Sequence, residues 1–173
     1  DLLADMARTV DHISGGRVVL GVGAGWYEKD YTTYGYEFGT WRSRFDLLDE
    51  GLARIQHRLA TLIPAPVRDI PILIGGSGTK RTIPAVARHA DIWHTFLPVD
   101  ELLRASELVD RLAEVHGRNG SDIERSTGFT TPGEADAYLN AGVTLFTTEI
   151  HPDPVNGYDF STVHQVVQWR DGR

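Results

Sequence analysis

The sequence predicts an α/β fold with a parallel sheet, on three observations. Stretches with apolar residues at helical spacing alternate with short, nearly all-apolar runs. The order along the chain is α-β-α-β-α-β-α-β-α-β-α. Glycine or proline marks several of the junctions. Strands apolar on both faces belong to buried parallel sheets, and each crossover helix returns the chain in a right-handed sense. Five such strands can make an open doubly wound sheet or five consecutive strands of an eight-stranded barrel. Periodicity does not separate these two, and the chain reads as a single domain over 1–173.

Each element has its own warrant. Leu2, Leu3, Met6, Val10 and Ile13 predict a first helix over 1–13, ended by Ser14-Gly15-Gly16. Residues 17–23 (RVVLGVG) suit a buried strand, and 24–41 read as a long loop rich in glycine and aromatic rings. Phe45, Leu48, Leu52, Ile55 and Leu59 predict a helix over 42–59, and Pro64 and Pro66 a turn. Ile70–Ile74 is a second strand, followed by a helix over 80–89 and a short strand at 91–94. Pro98 and Asp100 open a helix carrying Leu102, Val109 and Leu112 along one stripe. Residues 123–129 form a weak strand, 132–141 a short helix, 143–150 a clear strand, 151–158 a loop, and 159–169 the last helix.

Composition narrows the function classes. Apolar residues make up 41% and charged residues 24%, ordinary for a globular protein. A net charge of −7 disfavours nucleic acid and anionic membrane as partners. The absence of cysteine excludes disulfides and thiolate metal sites, and the histidines show no metal-ligand spacing. No apolar run approaches the length of a membrane span, and the start lacks a signal-peptide pattern. The expected location is the cytoplasm.

Two glycine-rich strand ends carry the chemistry. In Ile74-Gly75-Gly76-Ser77-Gly78-Thr79-Lys80-Arg81 a strand ends, small residues admit a ligand to the backbone, and a helix starts with two cations in its first turn. Helix N-termini favour anions, so Lys80 and Arg81 there point to a bound phosphate. The plain alternative is a glycine-rich turn with solvated basic residues. In Gly21-Val22-Gly23-Ala24-Gly25-Trp26, alternate glycines bare one face of a strand end on which a flat ring could lie beside Trp26; close strand packing explains the pattern equally well. The aromatic loop that follows suits a lid or a satellite cluster. Trp93 and His94 end their strand, and strand carboxyl ends face the active site of a barrel. His94 is a candidate proton donor or ring contact. Glu28 and Asp30 are candidate acid–base groups or a solvated face.

Residues 1–38 and 70–94, with weaker support from 140–146 and 169–171, resemble the luciferase-like monooxygenase superfamily, in particular its members that use the deazaflavin coenzyme F420. The resemblance implies a (β/α)8 TIM barrel, often a homodimer, with the cofactor at the strand carboxyl ends. It implies that Gly75, Gly76, Ser77, Gly78, Thr79, Lys80 and Arg81 hold the cofactor phosphate. Gly23, Ala24, Gly25 and Trp26 would lie near the cofactor, as would Trp93, with His94 and Glu28 as candidate catalytic groups. The family often has Asn at the position of His94. The barrel would lack its first strand–helix units, with shortened connections at 60–69 and near 127–131: a truncated product, or a sequence from which segments are missing. The function implied is hydride transfer between coenzyme F420 and a small organic substrate. An FMN-dependent monooxygenase, a non-catalytic remnant and an open-sheet phosphosugar-binding module are the alternatives.

Overall fold

The computed structural model describes residues 1–153, 155 and 157–173. Its elements are α1 (Leu2–Ser14), β1 (Leu20–Val22), α2 (Glu28–Tyr34), α3 (Trp41–Thr61), β2 (Ile72–Gly75), α4 (Thr82–His89), β3 (Ile92–His94) and α5 (Val99–Val115). After a 3-10 turn at Gly120–Asp122 come β4 (Glu124–Gly128), α6 (Pro132–Asn140), β5 (Val143–Thr147), β6 (His151–Asp153), β7 (Gly157–Asp159) and α7 (Ser161–Asp171).

Local chemistry sets the boundaries. Gly15, in the left-handed region at φ 67°, closes α1. Thr40 and Ser43 form a reciprocal capping box that starts α3. Thr131 caps α6 and Pro132 occupies its first turn, where a missing N–H costs nothing. Two expectations need correction. The 24–41 loop contains the helix α2, and the 151–158 loop contains an antiparallel hairpin of β6 and β7.

The five main strands pair in parallel in the order β1-β2-β3-β4-β5. A doubly wound sheet reverses its strand order at a switch point, and this sheet does not. Same-handed crossovers between consecutive strands put the helices on one face, which is the arrangement of a barrel wall. Helix packs on neighbouring helix in sequence: α1 on α3, α3 on α4, α4 on α5. The core lies between this layer and the sheet, where Ile72, Ile74, Trp93 and Val143 meet Leu52, Ile83, Val86, Leu102 and Val109. The fold is thus a partial (β/α) barrel.

Register settles the opposite, concave face. Ile74 pairs with Trp93 and Gly75 with His94, while Trp93 pairs with Arg125 and His94 with Ser126. Side chains alternate along a strand. Ile74, Trp93 and Arg125 therefore face the helices, and Gly75, His94 and Ser126 face the concavity. A register shift between Arg125 and Ser126 re-aims β5 against β4.

Candidate active site at the strand carboxyl ends

The concave face ends in a row of small residues around one imidazole. His94 Nδ1 lies 2.8 Å from Ser126 Oγ, and its ring stands edge-on to Phe96 with centroids 4.8 Å apart. Burial lowers the His94 pKa below its ordinary value. A neutral imidazole beside a hydroxyl can accept a proton at one nitrogen while the serine fixes the other. Gly75 leaves the neighbouring position bare. Gly21 in β1 and Gly23 just after it are exposed, and a Cβ built on either meets no protein atom within 4 Å. The strand ends therefore present a flat surface on which a ring could rest without displacing protein.

The turn after β2 is held from beneath. The Gly76 N–H donates to the His94 carbonyl at 2.9 Å, and its carbonyl accepts the Trp93 indole N–H at 2.7 Å. Gly76 has φ 119°, a conformation that suits glycine. These bonds tie the turn to the end of β3. Three expectations change here. Trp93 is fully buried on the helix side, so it supports the turn and does not line a ring site. The Gly76 N–H is committed within the protein, whereas those of Ser77, Gly78 and Thr79 have no acceptor among the described residues. Arg81, expected at the phosphate, instead pairs with Asp46 and, at 3.4 Å, with Asp49 of α3. Lys80 is exposed and makes no ion pair among the described residues.

The aromatic loop folds partly on itself. Tyr31 donates to the Ala24 carbonyl at 3.2 Å and lies where a Cβ on Gly25 would sit. Its ring meets Phe38 at 5.0 Å, and Arg44 covers Phe38 while bonding the Gly25 carbonyl at 3.0 Å. Trp26 remains 84% exposed and leans on Tyr27. Glu28 starts α2 on the surface and makes no hydrogen bond or ion pair with His94, whose ring nitrogen instead meets Ser126. The structure thus brings together His94, Gly75 and the 76–79 turn, and leaves Glu28 apart from them.

Two further residues belong here. Ser126 sits at the third position of β4 as His94 does in β3, a match hidden by the polar composition of that strand. Arg104 of α5 lines a hollow of about 300 Å3 with Ser77 and Thr79, and nothing in its own helix pattern marks it. Among the described residues there is no cluster of histidine and acidic groups fit for a metal, and no helix long and apolar enough to cross a membrane.

Comparison with known proteins supplies the family. The family model for luciferase-like monooxygenases matches residues 2–137. Uncharacterized proteins of Mycobacterium bovis and Mycobacterium tuberculosis are 28% identical over 132 residues, or 68% of this chain and 47% of theirs. The chain thus spans about half the length of the curated relatives it matches. An F420-dependent secondary alcohol dehydrogenase, solved with an F420–acetone adduct, superposes with a TM-score of 0.72 at 14% identity, covering 84% of this chain and 68% of that one. The coenzyme F420-dependent tetrahydromethanopterin reductase of Methanopyrus kandleri gives 0.58 at 19% identity, over 75% of this chain and 45% of that one. A long-chain alkane monooxygenase gives 0.60 at 17% identity, over 98% and 47%. These likenesses bear on the fold, and the family match covers most of the sequence: the chain belongs to the luciferase-like monooxygenase family.

Proposed function

We propose that the protein is a coenzyme F420-dependent oxidoreductase that transfers a hydride between the deazaflavin and a small organic substrate. The observation that carries the reading is the bare strand-end surface at Gly21, Gly23 and Gly75, bordered by the open N–H groups of Ser77–Thr79 with Lys80 close by in sequence. That pairing fits a cofactor with a flat ring and a phosphate-bearing tail. Ser77, Gly78, Thr79 and Lys80 would hold the phosphate, and Gly21, Gly23 and Gly75 would lie under the ring. The ring supplies the hydride chemistry when bound. The chain's own part is to anchor the tail, keep the ring flat against the strand ends, and hold or release a proton at the His94 imidazole. The solved structures of similar fold include F420-dependent enzymes and a riboflavin lyase holding modified FMN, so FMN is the alternative cofactor. A cytoplasmic location and a homodimer go with this reading.

The test is a titration of coenzyme F420 and of FMN against the wild type and Lys80→Ala, followed by fluorescence. F420 is expected to bind more tightly than FMN. Loss of the lysine should weaken binding by about 1.5–3 kcal/mol, the scale of a hydrogen bond to a charged group, or roughly ten- to a hundredfold in dissociation constant. Tighter binding of FMN would turn the reading to the monooxygenase alternative. Binding of neither cofactor would leave only a structural remnant of the barrel.

A further inference from the structure

Beyond Phe96 the concave face runs into a second hollow, of about 700 Å3, at the carboxyl ends of β4 and β5. Its wall is rich in threonine, but most of those hydroxyls are spoken for. Thr127 donates to the Thr95 carbonyl at 2.8 Å, and Thr147 to the Thr127 carbonyl at 3.4 Å. Thr130 donates to the Glu134 carboxylate. Thr148 and Thr162 also line the hollow, and their hydroxyls have no hydrogen-bond partner among the described residues. They are positioned to bind a polar guest.

The ionisable groups in the wall are two carboxylates and one imidazole, that of His151. Glu134 and Glu149 are its carboxylates, and no lysine or arginine lines it among the described residues. Glu149 lies 3.7 Å from His151 and is itself 83% exposed. The aromatic side is supplied by Phe96 and by Tyr138, whose hydroxyl is taken up by the Leu97 carbonyl at 2.9 Å, which leaves its ring as the contact surface. An anionic guest would meet two carboxylates, and the only cation open to it would be the His151 imidazole, which already faces Glu149. A cation would meet two carboxylates and aromatic rings, and a neutral alcohol or amine would meet free hydroxyls.

We infer that this hollow is the substrate site, and that it selects small hydroxyl- or amine-bearing molecules that are cationic or neutral, rejecting carboxylates and phosphates. The inference rests on the oxidoreductase reading above, because Phe96 links the hollow to the His94 surface, its ring 4.8 Å from the imidazole.

The experiment needs no cofactor. Trp169 packs on Phe129 of the hollow's wall with centroids 5.6 Å apart, so tryptophan fluorescence can follow occupancy. Choline, 2-propanol and lactate are titrated against the purified chain, with saturation-transfer NMR as the second readout. The expected order is choline tightest, 2-propanol weaker, lactate weakest. Glu149→Gln should weaken choline roughly two- to fivefold, the scale of an exposed ion pair, and Glu149→Lys should improve lactate. The Glu149 side chain is exposed, so neither variant threatens the fold. Lactate binding as tightly as choline, no binding of any probe, or choline affinity unchanged in both variants overturns the assignment. The separate titration of F420 keeps the two readings distinct: the expected probe order without cofactor binding retains the site and removes the proposed reaction, and the reverse retains the reaction and removes the site.

Discussion

Gly23 and His94 show how much one position can decide. A Cβ at Gly23 would enter open space, so Gly23→Val should leave the folded protein about as stable as before, within the roughly 0.5 kcal/mol common to surface changes. It would, however, place two methyl groups where the ring is proposed to lie. Cofactor affinity should therefore fall at least about tenfold, a cost near 1.4 kcal/mol, and calorimetry with and without cofactor reads both quantities. Equal affinity in the variant would move the ring elsewhere. His94 gives a pH prediction. Its folded pKa is lowered by burial, and that of His89 by burial and then by the Arg88 charge. Between the folded value and the ordinary 6.5, the unfolded chain binds more protons than the folded one. Stability therefore rises with pH through that window and falls as the pH drops below 6.5. Urea midpoints measured across the window should show this slope, and His94→Asn should flatten it; an unchanged slope would assign it to His89 or to another group. At this scale the sequence was partly legible. The spacing of Gly21 and Gly23 was visible, whereas the fate of Arg81 was not, because Asp46 and Asp49 reach it from a helix 32 to 35 residues away.

At the scale of elements, the pattern of apolar residues located the five strands and the helices between them, since burial on both faces leaves few other readings. It missed α2, which buries no residue and so carries no apolar stripe, and the β6–β7 hairpin, which is exposed at His151, Pro152 and Gly157–Asp159. It also left the choice between barrel wall and open sheet to the observed strand order, because that order is a property of pairing and not of any one segment. The junction of α5 with β4 was equally hidden. Arg125 of β4 is nearly buried, donates to the Gly120 carbonyl at 2.5 Å and pairs with Asp110 of α5. Gly120 itself is buried, and a Cβ there would lie 2.5 Å from the Asp110 backbone. Backbone cannot swing aside as a side chain does, so Gly120→Ala must shift the 3-10 turn or the end of α5. The expected loss is about 1–3 kcal/mol, the usual cost of overpacking, read as a lower midpoint in urea denaturation. An unchanged midpoint would mean that the turn is free to move and that the Arg125 contact does not fix it.

Among the described residues, one apolar face of α1 is left uncovered. On α1, Leu2, Met6, Val10 and Ile13 recur at helical spacing, and each is more than half exposed, with Ile13 reaching 80%. The other side of the same helix is well seated: Ala4 and Ala7 are buried, and Arg58 of α3 holds the Asp5 carboxylate with bonds of 2.8 and 3.1 Å. The stripe is therefore the exposed side of a helix held firmly on its other side. Leu47 of α3, 66% exposed, adds to the apolar surface of the helix layer. Contiguous apolar surface of this kind marks an interaction site in soluble proteins. The homodimer proposed above would cover it if two copies pack α1 against α1 about a twofold axis, where each stripe meets its own image. Replacing both Met6 and Val10 with lysine should separate the copies, because four like charges would then face one another across the axis. The side chains are exposed, so the fold should keep its thermal midpoint to within the small effects of surface substitution. Sedimentation equilibrium decides the matter: the wild type is expected at twice the 19.2 kDa chain mass and the double variant at that mass. A wild type that sediments as a single chain at micromolar concentration, or a double variant that remains paired, would show that α1 is not where two copies meet.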